Sequence, residues 1–302
     1  MKKLAVLFLS VALLGLSATT ARAAEAQATE AKVIKVTGSA TALLPGQSGA
    51  VAITQGMNLP VGSSITTDAG ATVDIQALAG ALTTIRQNST VVIEELSVNK
   101  NGEGVVTKQT AMLNLKSGNL ASALDPAMKR INNYGVRTPK GVAAARGTVY
   151  TVSVTLTTTT VATLSGTVTL TPVGGGASIV IDIATGMAVT LIDGQPTGEP
   201  QPLATLMANE AADNTSGDEN SITTAVTQAQ QTIDDAISSG AITNPSSVVI
   251  LQEVSTKLKE STTPAPKGPP TGGPTTGPVT PKSTPSTPTV TLDGATITIS
   301  PQ

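Results

Sequence analysis

Residues 135–154 read GVRTPKGVAAARGTVYTVSV, and the reading of this stretch decides the fold. Pro139 lacks an amide donor and holds Thr138 extended. Lys140-Gly141 then supplies a turn, because glycine takes positive φ without steric cost. Beyond the small-residue run 142–145 and Arg146-Gly147-Thr148, Tyr150, Val152, Val154 and Leu156 alternate with Thr151, Ser153 and Thr155. That alternation predicts a strand with one buried face. A kinked entry, a small-residue crossing and a long strand in one segment predict the centre of a sheet protein.

The same grammar extends outward over residues 32–203 as short β-type runs broken by glycine. Val73 and Ile75 fall on one face of a strand and Asp74 on the other. Asn101-Gly102, between apolar runs at 91–98 and 105–115, predicts a hairpin with a type I′ turn. Residues 125–133 read as a polar surface excursion, and Gly174-Gly175-Gly176 as a hairpin tip. Many short strands at turn spacings of roughly 8 to 12 residues predict an all-β sandwich, roll or short β-solenoid. With aromatic residues nearly absent, valine, isoleucine and leucine must fill its core.

A helical segment is expected over residues 204–260. Ile222, Val226, Ala229, Ile233 and Ile237 recur at helical spacing before Gly240. Asn244-Pro245 opens a second helix through Leu251 and Leu258, which together with the first makes an αα-hairpin. The β-branched run Val248-Val249-Ile250 weakens that second helix. Residues 261–288 are rich in Pro, Thr and Gly and are expected to form an extended linker. Residues 289–302 alternate around Asp293-Gly294 as a terminal hairpin or strand, able to add to a sheet edge in its own chain or another.

The N-terminus, MKKLAVLFLSVALLGLSATTARA, has a basic start, an apolar centre and a small-x-small end at Ala21-Arg22-Ala23, so residues 1–23 read as a cleaved signal peptide. Its apolar run is shorter than the ~20 residues that span a bilayer. No membrane span is expected after cleavage, and the location is periplasmic, secreted or at the cell surface. Loss of Lys2, Lys3 and Arg22 takes the formal charge from −2 to −5. An acidic chain without a basic run speaks against nucleic acid as partner. Cysteine and histidine are absent, which excludes a Ser-His-Asp triad, Cys-His pairs and the usual zinc sets. Tyr134 and Tyr150 are the only aromatics after the leader, too few for a sugar- or base-stacking platform.

The string Thr138-Pro139-x-GVAAARGT-x-Tyr150-x-Val152 resembles the FecR domain, the periplasmic module of bacterial iron-transport sigma regulators that also occurs in many exported proteins. Gly56-x-x-Leu59-x-x-Gly62-x-x-Ile65-x-Thr67, Ala71-x-Val73-x-Ile75, Leu115-x-x-Gly118-x-Leu120 and Gly166-x-Val168 extend the resemblance over residues 33–192. Ser165 stands where the family often has glutamate. The regulators carry an anti-sigma segment and a membrane helix ahead of this domain. Here a leader directly precedes the β region, so the expectation is an exported module that contacts another protein or an envelope polymer.

The candidate interaction or structural signature is Thr138, Pro139, Arg146, Gly147 and Thr148. Arg146 is suited to hold a carboxylate bidentately, either of a partner or of its own domain, and Gly147 permits close backbone approach. Glu94-Glu95, neighbours on a strand, point to opposite faces and cannot converge on one bond. Asp234-Asp235 falls on the solvated side of a helix. No phosphate loop or calcium loop occurs. The expectation is a non-enzymatic protein without cofactor or metal that acts by protein–protein or cell-envelope contact, with signal reception as one role. The alternatives are a structural surface protein with a spacer tail and, more remotely, a two-carboxylate carbohydrate enzyme.

Overall fold

The structure, a computed structural model, describes residues 26–173 and 179–262, together with the backbone of residues 289–292 and 295–298. The leader, the triple-glycine tip and the Pro/Thr-rich stretch lie outside the described residues. Two sheets stack and share one strand. The first runs β4 (Val51–Ala52), β3 (Ala40–Leu43), β6 (Ser64–Thr67), β9 (Thr90–Lys100), the first half of β10 (Val106–Leu124), β11 (Asn132–Arg137), β12 (Gly141–Ala145), β15 (Thr167–Pro172) and β16 (Ile181–Ala184). β1 (Ala26–Ala28) lies next to β6 along β9. The second runs β5 (Asn58–Leu59), β2 (Ala31–Thr37), β7 (Thr72–Leu78), β8 (Ala81–Ile85), the second half of β10, β13 (Val149–Val154), β14 (Thr158–Ser165), β17 (Met187–Ile192) and the short β18 (Gln195–Pro196) and β19 (Gln201–Pro202).

β10 pairs with β9 as far as Ser117 and with β8 and β13 from Gly118 on, so Gly118 is where one strand changes sheet. Its φ is +88°, and a Cβ there would lie 2.6 Å from the Cα of Ser89. Only glycine fits both demands. Passages between the sheets elsewhere use positive φ too, at Gly38, Gly70, Asn88, Gly147, Gly166 and Gly186 among others. The exception is the passage from β10 to β11, through a short 3-10 turn (Pro126–Met128) capped by the Asp125 carboxylate. This crossover gives β10 and β11 their parallel pairing.

The main core lies between the sheets, filled by Val, Ile, Leu and Ala with the two tyrosines. The Tyr134 hydroxyl shares hydrogen bonds with Thr83, which also bonds Ser122 at 3.0 Å. Burial pushes the Tyr134 hydroxyl up to about 12 and that of Tyr150 well above its ordinary value. A second core forms where Leu82, Ala121, Val149 and Leu164, on the outer face of the second sheet, meet the helices. These are α1 (Leu203–Ala212), α2 (Ile222–Ser238) and α3 (Pro245–Thr262). Ser221 caps α2 by accepting from the Thr224 amide, and its stripe Ile222, Val226, Ala229, Ile233 and Ala236 faces the sheet.

Several local expectations are corrected. Tyr150, Val152 and Val154 are buried, but the strand ends there and Leu156 is 98% exposed. Thr155 and Thr158 close a two-residue turn by side-chain and backbone hydrogen bonds, which carries Leu156 outward. The hairpin at Asn101 forms without a type I′ turn. Gly104, not Gly102, takes positive φ, while the Asn101 side chain accepts from the amides of Glu103 and Val105. A bulge between Met112 and Leu113 leaves Glu94 without a ladder partner, so Glu94 and Glu95 are both exposed instead of facing opposite ways. Residues 132–133 already belong to β11 rather than to a surface excursion. The helix α1, whose stripe is weak, was not expected.

Candidate partner-binding rim

The Thr138–Gly141 turn is fixed by one side chain. Thr138 Oγ1 accepts from the amides of Lys140 (3.2 Å) and Gly141 (3.0 Å), and its own amide donates to Gly141 O at 2.8 Å. Thr138 is therefore buried framework, and Pro139 at the tip is exposed. Lys140 O accepts from the Val173 amide, and Lys140 Nζ lies 3.1 Å from Asp193 Oδ1. The Asp193 amide in turn donates to Thr157 O. These bonds draw the ends of four hairpins together and place Pro139, Leu156, Val173 and Ile192 on one rim. Leu156 stands clear of the protein, and about half of Val173 and of Ile192 is exposed. Lone exposed apolar residues are ordinary, but several gathered on adjoining turns mark an interaction surface.

Beside the rim lies a groove of about 480 Å³ lined by Lys116, Asn119, Pro139, Lys140, Leu156 and Glu219. Its far wall is the loop between α1 and α2. Asn220 Oδ1 accepts from Asn119 Nδ2 (3.1 Å) and Ser153 Oγ (3.0 Å), and the Glu219 carboxylate accepts from Asn88 Nδ2. Cationic and anionic groups thus stand around an apolar tip, an arrangement suited to a polypeptide surface.

β12 carries the chain away from this rim, so Arg146, Gly147 and Thr148 sit at the opposite end of the sandwich. The structure does not bring the five signature residues into one site. A Cβ on Gly147, whose φ is +67°, would lie 2.8 Å from the Cα of Pro126. Thr148 is buried, and its carbonyl accepts from the Leu124 amide. Arg146 is exposed and makes no ion pair with a carboxylate among the described residues, which removes the pairing within its own domain. Glu94 is tied to Arg137 Nε (2.7 Å) and Asn114. Asp234 and Asp235 are engaged rather than merely solvated: Asp235 meets Lys35 at 3.0 Å, and Asp234 accepts from Ser255 Oγ at 2.8 Å.

One titratable cluster lies apart, beneath α2. Asp74 is 2% exposed and its Oδ1 has no hydrogen bond. Burial raises its carboxyl above the ordinary range, against the pull of Thr84, Lys35 and Arg86. Burial lowers Arg86, against Asp74, Asp235 and Glu219, whereas the hydrogen bond to Asp235 raises Lys35. No group of three or more carboxylate, imidazole or thiol ligands that could hold a metal occurs among the described residues. Likewise, no helix among them is long and apolar enough to cross a membrane.

The sequence reading singled out Pro139, took Lys140 only as part of the turn, and missed Leu156, Val173 and Ile192. The turn that exposes Leu156 is built of threonine, without the Gly, Asn or Pro that marks turns in sequence.

Residues 63–169 match the family model described as FecR protein, and the chain carries a FecR domain there. The match is shorter at both ends than the span 33–192 over which the resemblance is legible. Two crystal structures of a protein from Parabacteroides distasonis ATCC 8503, provisionally described as an anti-sigma factor, are similar at 10% identity. They cover 46% and 48% of this chain, with TM-scores of 0.35 and 0.36. The alignments span 59% and 63% of those chains. No curated protein matches the sequence.

Proposed function

We propose that this is an exported, non-enzymatic FecR-domain protein that recognises another envelope protein through the rim around Pro139, Leu156, Val173 and Ile192, in a signal-sensing role. The observation that carries the reading is the apolar rim itself, held rigidly by hydrogen bonds between hairpin tips and exposed on Leu156 by 98%. The FecR match supports a regulatory, signal-sensing role. Export rests on the leader-like N-terminus.

The test is capture from an envelope extract with the wild-type chain and with the double variant Leu156→Asp, Ile192→Asp. Leu156 stays almost wholly in water and Ile192 about half so, and the variant therefore stays folded, with a melting temperature lowered by at most roughly a few degrees, and loses the specifically captured protein. Equal capture by both forms would remove the rim from the reading. Capture that depends only on residues 263–302 would favour the spacer-tail alternative, in which the β body is cargo.

A further inference from the structure

β16 is an edge strand. It pairs with β15 through Thr167↔Ala184 to Leu170↔Ile181, and no strand lies on its other side among the described residues. A free edge presents unpaired amides and carbonyls and serves as a template for another strand unless lysine, proline or shortness blunts it. The other edges are blunted. β4, β5, β18 and β19 have two residues each, and the last two contain proline. β1 has three residues. β5 covers the outer side of β2 at Ala31 and Lys32, and Lys35 stands on the stretch beyond it. Among the described strands of the two stacked sheets, β16 is the edge that lacks such a guard. Its approach, Ile179-Val180, is apolar and 43% and 58% exposed, and its one charge, Asp182, accepts a hydrogen bond from Thr169.

The tail leaves the body close by. Lys257 and Leu258, in the last turns of α3, line one groove with Thr167 and Thr185, at the end of β16. The helix ends four residues later, at Thr262. The 26 residues from 263 to 288 reach as much as ~80 Å at about 3.1 Å per residue, so the tether limits nothing. Beyond them, β20 (Thr289–Leu292) and β21 (Ala295–Thr298) pair with each other, Val290 opposite Ile297 and Leu292 opposite Ala295. Two strands alone are marginal in water and need a third strand or an apolar cover. Tethering within one molecule gives an effective concentration in the millimolar range, above that of a second copy in dilute solution.

We propose that the terminal hairpin Thr289–Thr298 adds to the open edge of β16 in its own molecule, extending the first sheet. Hydrogen exchange tests this on the full chain, a chain ending at Thr262, and the full chain with Val290→Lys and Ile297→Lys. In the full chain the amides of residues 179–184 are protected. In both altered forms they exchange roughly tenfold faster or more, while the amides of β10 at residues 113–115 keep their protection. Should the truncated chain lose protection in β10 as well, the lysine variant decides alone. Equal exchange at 179–184 in all forms overturns the proposal, as does protection in the full chain that fades on dilution, which assigns the edge to a second copy.

Discussion

At the scale of single residues, Gly147 and Asp74 carry opposite lessons. Gly147 combines positive φ with backbone of the Pro126 turn 2.8 Å from where a Cβ would stand. Gly147→Ala therefore meets both strain and overlap, and we expect a loss of about 1–3 kcal/mol in urea unfolding. An unchanged midpoint would mean that the neighbouring turn yields freely. Asp74 is a cost that the fold carries. Burial holds its folded pKa above the ordinary 3.8 of an aspartate, so the folded state holds the proton more tightly than the unfolded chain does. Stability from this group is fully present at pH below 3.8 and is lost as pH rises through the folded value. Asp74→Asn keeps the shape and removes the charge. Its advantage over the wild type should be absent in acid and grow as pH rises above 3.8, and thermal melts across that range check the sign.

Among the elements, α1 and α2 are joined by one side chain. Glu210 of α1 accepts from the amides of Ile222 (2.5 Å) and Thr223 (2.9 Å) and from the Thr223 hydroxyl, at the positive end of the α2 dipole. Glu210→Ala leaves those donors to water, and we expect about 1 kcal/mol of lost stability, measured by urea unfolding. Glu210→Gln should recover part of it. The two longer helices were legible because their apolar spacing agrees with the stop at Gly240 and the cap at Asn244. The run Val248-Val249-Ile250 does not break α3, because Leu251 and Leu258 are buried against the second core and tertiary packing outweighs propensity. α1 was not legible. Leu203 is its one fully buried residue.

Over the whole molecule, the all-β class and the glycine-punctuated strands could be read because all but one of the passages between sheets demand a backbone that few residues other than glycine supply. The site could not. Sequence neighbours from Thr138 to Thr148 lie at opposite ends of β12, and the rim that stands in their place is assembled by hydrogen bonds between distant turns. Alternation placed Asp74 on the face away from the main core, as found, but could not show that α2 brings Asp235 over that face and that Asp74 is buried there.

The 19-residue span of β10 has a mechanical consequence. Where every strand keeps to one sheet, two stacked sheets are joined only by side-chain packing and connecting loops. Here a covalent seam crosses from one sheet to the other at Gly118, so slippage would require bending the main chain at its most crowded point. On the proposed reading, a partner at the rim would meet a body that resists shear and would act by occupying a ready-made surface.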